Sequence, residues 1–419
     1  MIANKIPPEV LSDIFLECVT QTYQVRIWSF LQPLRISHVC HSWREVAISD
    51  GRLWSYFRAD DSSFDGLRDI KAIFDVFLAR TKGALLHFWF RFNFKNYQGG
   101  ERVNHVVYML NTLVSQQHRW EEAFLVWRGR EYGPSPILDM RNMPMLTTMD
   151  LTCGGETKAF IDIGQSPKLK RVSIWGDVEL TAVRSCLAFL EATPFLEEIH
   201  INFEGDASAP DTLRSEKRVL TSRLQYLRLE SYYTGPELVL DNVTLPSLKA
   251  LELMSSRAGQ PLLDFFHGSS PPLTFLHLDC ADMREDTVIE ILRLLPTLRE
   301  FRYFEASVSA RFFQELTITD SATGGAQIVC PALETLVSPT IQFMEDRRTC
   351  IDAFISMLES RSQIVDSFKK VGLPAGGLKL DVTSLRDTSD LQERLEIGGF
   401  FVSRMCQAPR WTPFSRIGV

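Results

Sequence analysis

The sequence predicts an α/β fold: a module of three short N-terminal helices, then a repetitive solenoid with a parallel sheet on its concave side and helices outside. Three observations predict it. An L-x-x-L-x-L pattern recurs through the 419-residue chain. A proline stands two residues before many of its copies. Between copies the apolar period lengthens from 2 to 3.6 residues, the change from strand to helix. The chain divides accordingly into a helical module at 1–58, a repeat region at 59–375 and a C-terminal cap or tail at 376–419.

The repeat is read from its apolar slots. They fall at Leu146-Met149-Leu151, Leu169-Val172-Ile174, Leu196-Ile199-Ile201, Leu224-Leu227-Leu229, Leu248-Leu251-Leu253, Leu273-Leu276-Leu278 and Leu298-Phe301-Tyr303, with Leu333-Leu336 ending the series. First slots are 23, 27, 28, 24, 25, 25 and 35 residues apart, mostly within the period of about 20–29 residues typical of leucine-rich repeats. Pro144, Pro167, Pro194, Pro246, Pro296 and Pro331 precede six of them, where proline should stop a helix and force an extended approach to the strand. Leu85-Phe88-Phe90 and Trp120-Ala123-Leu125 fit the frame as earlier turns, and Leu378 with Leu380 as a last strand.

Helical stripes alternate with these strands: Ile70, Ile73, Phe74, Phe77 and Leu78; Val103, Val106, Val107, Leu110, Leu113 and Val114; Val288, Ile291, Leu292 and Leu295; Ile351, Phe354, Ile355 and Leu358. No unit buries its apolar face alone, so neighbours must stack. The 28 phenylalanines predict an aromatic interior.

The N-terminal segment carries a stripe at Val10, Leu11, Ile14, Phe15, Cys18 and Val19, with Pro8 and Glu9 suited to a first helical turn. After a linker at 20–32, Ile36, Val39, Cys40, Trp43, Val46 and Ala47 predict a second helix, and Leu53-Trp54 a short third element. A module this small is marginal alone and leans on a partner.

Composition narrows the function. The charge sum, 45 basic minus 52 acidic residues, is −7, so the chain has no general attraction for nucleic acid. No stretch approaches the ~18 apolar residues of a membrane helix, and the N-terminal apolar run is broken by Glu9, Asp13 and Glu17. Eight scattered cysteines without a C-x-x-C pair predict buried free thiols and a cytoplasmic or nuclear protein.

No catalytic constellation emerges. Gly154-Gly155-Glu156-Thr157-Lys158 lacks phosphate-loop spacing. Cys18, His38, Cys40 and His41 lack a second ligand pair for zinc, and Asp279 with Asp282 reads as a solvated loop. The expectation is a non-catalytic protein without metal or cofactor. What remains is a recognition surface. Residues alternating with the slots face the concave side, and Arg171, Trp175, Tyr226, Arg228, Phe275, His277, Arg302 and Phe304 are the candidates there for binding a protein substrate. Arg171, Arg228 and Arg302 lie at comparable strand positions and could form a basic track for a phosphate.

Two resemblances add to this reading. The repeats resemble the irregular leucine-rich-repeat region behind fungal-type F-box modules, without the Asn or Cys that usually follows the strand. Ile6-Pro7-Pro8-Glu9-Val10, Ile14-Phe15, Val39-Cys40-His41-Ser42-Trp43-Arg44 and Leu53-Trp54 resemble, in order, the L-P-x-E-I/L, I-F, V-C-x-x-W-R and L-W of the F-box itself. That resemblance implies docking on the Skp-type linker subunit of a cullin ubiquitin ligase. Ile6, Pro7, Glu9, Val10, Ile14, Phe15, Val39, Cys40, Trp43, Leu53 and Trp54 would then form the interface or its supporting core. The chain would be the substrate-recognition adaptor. The alternative is a repeat scaffold that binds a protein without any ligase, its N-terminal helices serving as a cap.

Overall fold

The computed structural model describes residues 6–24, 32–60, 69–93, 100–128, 138–154, 159–161, 166–176, 183–203, 218–231, 235–255, 258–280, 283–304, 306–318, 328–337, 341–343, 347–364, 370–374 and 401–405. The chain forms two compact units, residues 1–181 with 192–196, and 182–191 with 197–419.

The first unit opens with helices α1 (Pro8–Gln24), α2 (Gln32–Ser37) and α3 (His41–Ser49) and a 3₁₀ turn at Gly51–Trp54. The helix expected through Ile36–Ala47 is therefore two. Cys40 is extended at φ −158° and ψ 173° and caps α3, so the apolar period runs unbroken across a bend in the backbone. Gly51 has no room for a Cβ, which would collide with the Thr81 carbonyl. Five parallel strands follow in chain order: β1 (Tyr56–Asp60), β2 (Leu86–Asn93), β3 (Trp120–Arg128), β4 (Thr148–Gly154) and β5 (Arg171–Gly176). Helices α4 (Ile70–Arg80) and α5 (Gly100–Ser115) connect the first three.

β1 is a repeat strand, and it straddles the end of the helical module that the sequence predicts at 1–58. Phe57 and Ala59 pair in register with Phe88 and Phe90, so Trp54-Phe57-Ala59 is the first turn of the repeat, and all three side chains are buried. Leu53 and Trp54 consequently sit in the core rather than on a docking surface. The Trp54 indole donates to the Ala47 carbonyl at 2.7 Å, meets Phe77 edge-on at 5.8 Å and lies under the Arg80 guanidinium at 4.4 Å. The boundary expected at 58 thus falls inside a strand.

The second unit repeats the scheme with β6 (Glu198–Asn202), β7 (Tyr226–Glu230), β8 (Ala250–Met254), β9 (Phe275–Asp279), β10 (Glu300–Phe304), β11 (Thr335–Val337), β12 (Lys370–Pro374) and β13 (Phe401–Met405), all parallel and in chain order. Its helices are α6 (Val183–Ala192), α7 (Pro236–Asn242), α8 (Gly259–Ser269), α9 (Glu285–Arg293), α10 (Ala310–Leu316) and α11 (Arg347–Ile364). The strand after α11 lies at Lys370–Pro374, and the expected Leu378 and Leu380 lie outside the described residues. Of the expected tail, β13 continues the sheet.

Slot residues stack on slot residues across the ladder. Leu227, Leu251, Leu276, Phe301 and Leu336 are consecutive partners, and every slot from Leu146 to Leu336 is buried. Each such side chain contributes roughly 1.5–3 kcal/mol relative to exposure. At β2 the frame slips. A register shift at Leu86/His87 buries Leu86 and leaves the expected slot Leu85 half-buried.

The six prolines do something tighter than force extension. In each case the first-slot N–H donates to the carbonyl three residues back at 3.1–3.3 Å: Leu146 to Met143, Leu169 to Ser166, Leu196 to Thr193, Leu248 to Leu245, Leu298 to Leu295 and Leu333 to Cys330. Proline is therefore the second residue of a β-turn, the position its fixed φ favours.

Two residues beyond the last slot, small side chains take over the place of the missing asparagines. Ser231 Oγ donates to the Phe203 carbonyl at 3.3 Å and Cys280 Sγ to the Leu253 carbonyl at 3.8 Å. Cys153, Ser231, Ser255 and Cys280 are all buried. Burial pushes the Cys280 thiol up to about 12, so it is inert. Cys186, Cys330 and Cys350 are buried too, whereas Cys18 and Cys40 are exposed.

Candidate functional site

The N-terminal helices divide their apolar residues between two directions. Along α1, Leu11, Phe15 and Val19 recur every four residues and are sealed inside. Val10 and Ile14, one position earlier in each turn, are 50% and 46% exposed. Val39 is 60% exposed just before α3, and Ile48 within it 36%. These four are half of the large apolar side chains that stand exposed among the described residues, within fewer than fifty positions. Apolar side chains left exposed on one small helical module are candidates for contact with a partner.

The expected interface residues therefore separate. Pro7, Glu9, Val10, Ile14, Val39 and Cys40 are exposed, Ile6 and Trp43 half-buried, and Phe15, Leu53 and Trp54 buried. Trp43 rests on Phe15, ring centroids 4.8 Å apart, and its indole N–H is shut off from solvent with no partner among the described residues. Polar contacts fix the base of the module. Ser12 donates to Asp50, and Arg52 bridges Asp50 at 2.7 Å and Asp13 at 3.2 Å. Burial would raise the Asp50 carboxyl, but hydrogen bonds from Arg52 and Ser12 hold it below its usual value.

The strand faces between the slots carry the remaining candidates. In the first unit Tyr56 stacks on His87 at 4.5 Å and 8°, and His87 lies 3.4 and 3.5 Å from Glu121 and Glu122. Arg58 covers Trp89 at 3.6 Å. Burial pushes Asp150 up to about 7, against a lowering hydrogen bond with Ser173, whose hydroxyl also accepts from the Trp175 indole at 3.2 Å. Arg171 and Trp175 are half-buried on this face.

In the second unit Tyr226, Arg228, Phe275, His277, Arg302 and Phe304 are likewise half-buried. Arg228 is clamped by Glu230 and by Glu252, the latter at 2.9 Å. His200 reaches Glu230 at 3.4 Å, and His277 Nδ1 reaches Glu252 at 3.5 Å. The Tyr226 hydroxyl donates to Glu252 at 3.0 Å. Arg302 pairs with Glu300 at 2.6 Å and lies 5.1 Å from the Phe275 ring centre; Phe304 lies 4.7 Å from His277. Burial drives the His200 imidazole down. Burial would raise Glu230 and Glu252, yet their histidine and arginine neighbours bring both below the usual carboxylate value.

No basic track results. Arg228 and Arg302 are answered by carboxylates of their own face, and Arg171 lies in the other unit, where its charge acts on Glu122. The residue missed at the centre is Glu252, which receives Arg228, His277 and Tyr226. Its signal was the same alternation, a residue between Leu251 and Leu253. Among the described residues no three His, Cys, Asp or Glu come together as metal ligands, and no helix is long and apolar enough to cross a membrane.

No protein-family model matches the sequence, and no curated protein matches it. Among solved structures, the TLR13 chain of a TLR13–ssRNA13 complex aligns with 62% of this chain at 13% identity and a TM-score of 0.33. The aligned part is 43% of that chain's own length.

Proposed function

We propose that the chain is the substrate-recognition adaptor of a Skp–cullin–F-box ubiquitin ligase, working in the cytoplasm or nucleus. The helical module docks the Skp-type linker subunit and the strand face of the repeats holds a protein substrate. The observation that carries this reading is the division along α1 and at Val39: within the F-box-like motif, Phe15, Leu53 and Trp54 build the core, while Val10, Ile14 and Val39 stand in water. The adaptor supplies no reacting group. It raises the effective concentration of a substrate beside the charged ubiquitin carrier, with neither nucleic acid, membrane nor cofactor involved.

The rival reading, a protein-binding repeat scaffold attached to no ligase, draws support from β1. Because Trp54 and Phe57 belong to the first repeat, the helices are built onto the sheet as a cap would be. Co-purification of the full chain with the linker subunit decides between them. Binding at micromolar concentration that is lost in Ile14→Asp supports the adaptor; a folded chain that fails to bind leaves the scaffold.

A further inference from the structure

The strand face of the second unit has a chemistry that selects its occupant. Five carboxylates alternate with the slots of β6 to β10: Glu198, Glu230, Glu252, Asp279 and Glu300. Against them the same positions hold two guanidiniums, Arg228 and Arg302, so with histidines neutral the face carries 2 − 5 = −3. Both guanidiniums are already engaged, Arg228 by Glu230 and Glu252 and Arg302 by Glu300. An anionic partner would have to break those pairs and then meet the surplus of negative charge.

Beside them the face holds half-exposed Tyr226, Met254, Phe275 and Phe304. These side-chain types are enriched at protein interfaces. His277 adds a third property. Its Nδ1 lies 3.5 Å from Glu252, and its Nε2 is hidden from solvent with no partner among the described residues. A protein that covers this face desolvates a net-negative set of side chains, and cations that the partner brings offset that cost.

We propose that the strand face of the second unit receives an extended, lysine- or arginine-bearing segment of a protein partner, its apolar side chains on Phe275 and Phe304. The proposal rests on the reading of the repeats as the substrate-holding part. The first unit shows no such surplus: on its strands Arg58, Arg91, Arg128 and Arg171 balance Asp60, Glu121, Glu122 and Asp150.

The test is fluorescence anisotropy on the purified full chain. The probes are a labelled synthetic peptide alternating lysine with valine and the same peptide with glutamate for lysine. The lysine peptide should bind and the glutamate peptide should not. The isosteric pair Glu198→Gln with Asp279→Asn, checked for an unchanged melting temperature, should weaken binding at least about tenfold. Phe304→Ala should weaken it without reducing its salt dependence, and Arg91→Ala with Arg128→Ala in the first unit should leave it unchanged. Equal binding of both peptides, no binding of the lysine peptide, or indifference to the Glu198 and Asp279 changes overturns the proposal. Linker-subunit binding is measured on the same samples. If it persists while the peptide arm fails, only this proposal falls; if it is absent while the lysine peptide binds as expected, only the ligase assignment falls.

Discussion

Arg361 on α11 is fully buried and donates to three backbone carbonyls, Leu316 at 2.7 Å, Cys330 at 2.9 Å and Val329 at 2.7 Å. One of these belongs to Cys330, which holds a positive φ of 46° and begins the last of the proline turns. Arg361→Met keeps much of the volume and removes every donor. Three orphaned carbonyls cost about 3–9 kcal/mol. Against that, burial has already pushed the guanidinium from 12.5 down to about 10, and losing that desolvation returns roughly 3 kcal/mol. The two terms leave a net loss of about 0–6 kcal/mol, centred near 3. Urea unfolding followed by far-UV circular dichroism measures it, and amide hydrogen exchange over residues 328–337 and 310–318 should show the loss concentrated there. A stabilised variant, or a loss of exchange protection not concentrated in those two segments, would refute the reasoning.

Ile14→Ala with Val39→Ala should leave stability within ~0.5 kcal/mol. In proportion to the surface these residues expose, it should weaken linker-subunit binding by about 2–3 kcal/mol, roughly 30- to 150-fold in Kd by titration calorimetry. Trp54→Ala should instead cost about 3–5 kcal/mol of stability, read as a lowered melting temperature, with docking lost only as the fold is lost. Asp150 binds its proton more tightly folded than unfolded, so its contribution is fullest below pH 3.8 and falls away as pH rises toward about 7; Asp150→Asn should flatten stability against pH over that window and stabilise the protein at pH 8 in urea titrations. Cys18 and Cys40 should react with maleimide in the native chain ahead of Cys153, Cys186, Cys280, Cys330 and Cys350, and bound linker subunit should protect Cys40, beside Val39, as read by peptide mass mapping.

The slots were legible because a single buried stripe obeys one period, and Leu146 through Leu336 needed nothing else. Trp54 was not, because one residue satisfied two patterns: it closes the F-box-like motif and opens the first repeat. Nor was the bend at Cys40, since backbone direction can change without interrupting an apolar period. Alternation puts the strand-face residues on the side opposite the slots, but it carries no information on their partners. Arg228 and Glu252 are 24 residues apart in sequence, and only the ladder register that puts Arg228 beside Glu252 turns a supposed cation track into a net-acidic cluster.

That Trp54 belongs to helix module and sheet at once bears on any attempt to dissect the protein. A deletion ending at residue 58 would cut β1 in two and strip Phe74 and Phe77 of the rings that cover them. The remnant would present a raw sheet edge and an oily helix to its neighbours in the tube. Its clumping, or its silence toward a partner, would report a torn seam, so surface point changes and not truncations are the tools for separating the two ends of this molecule.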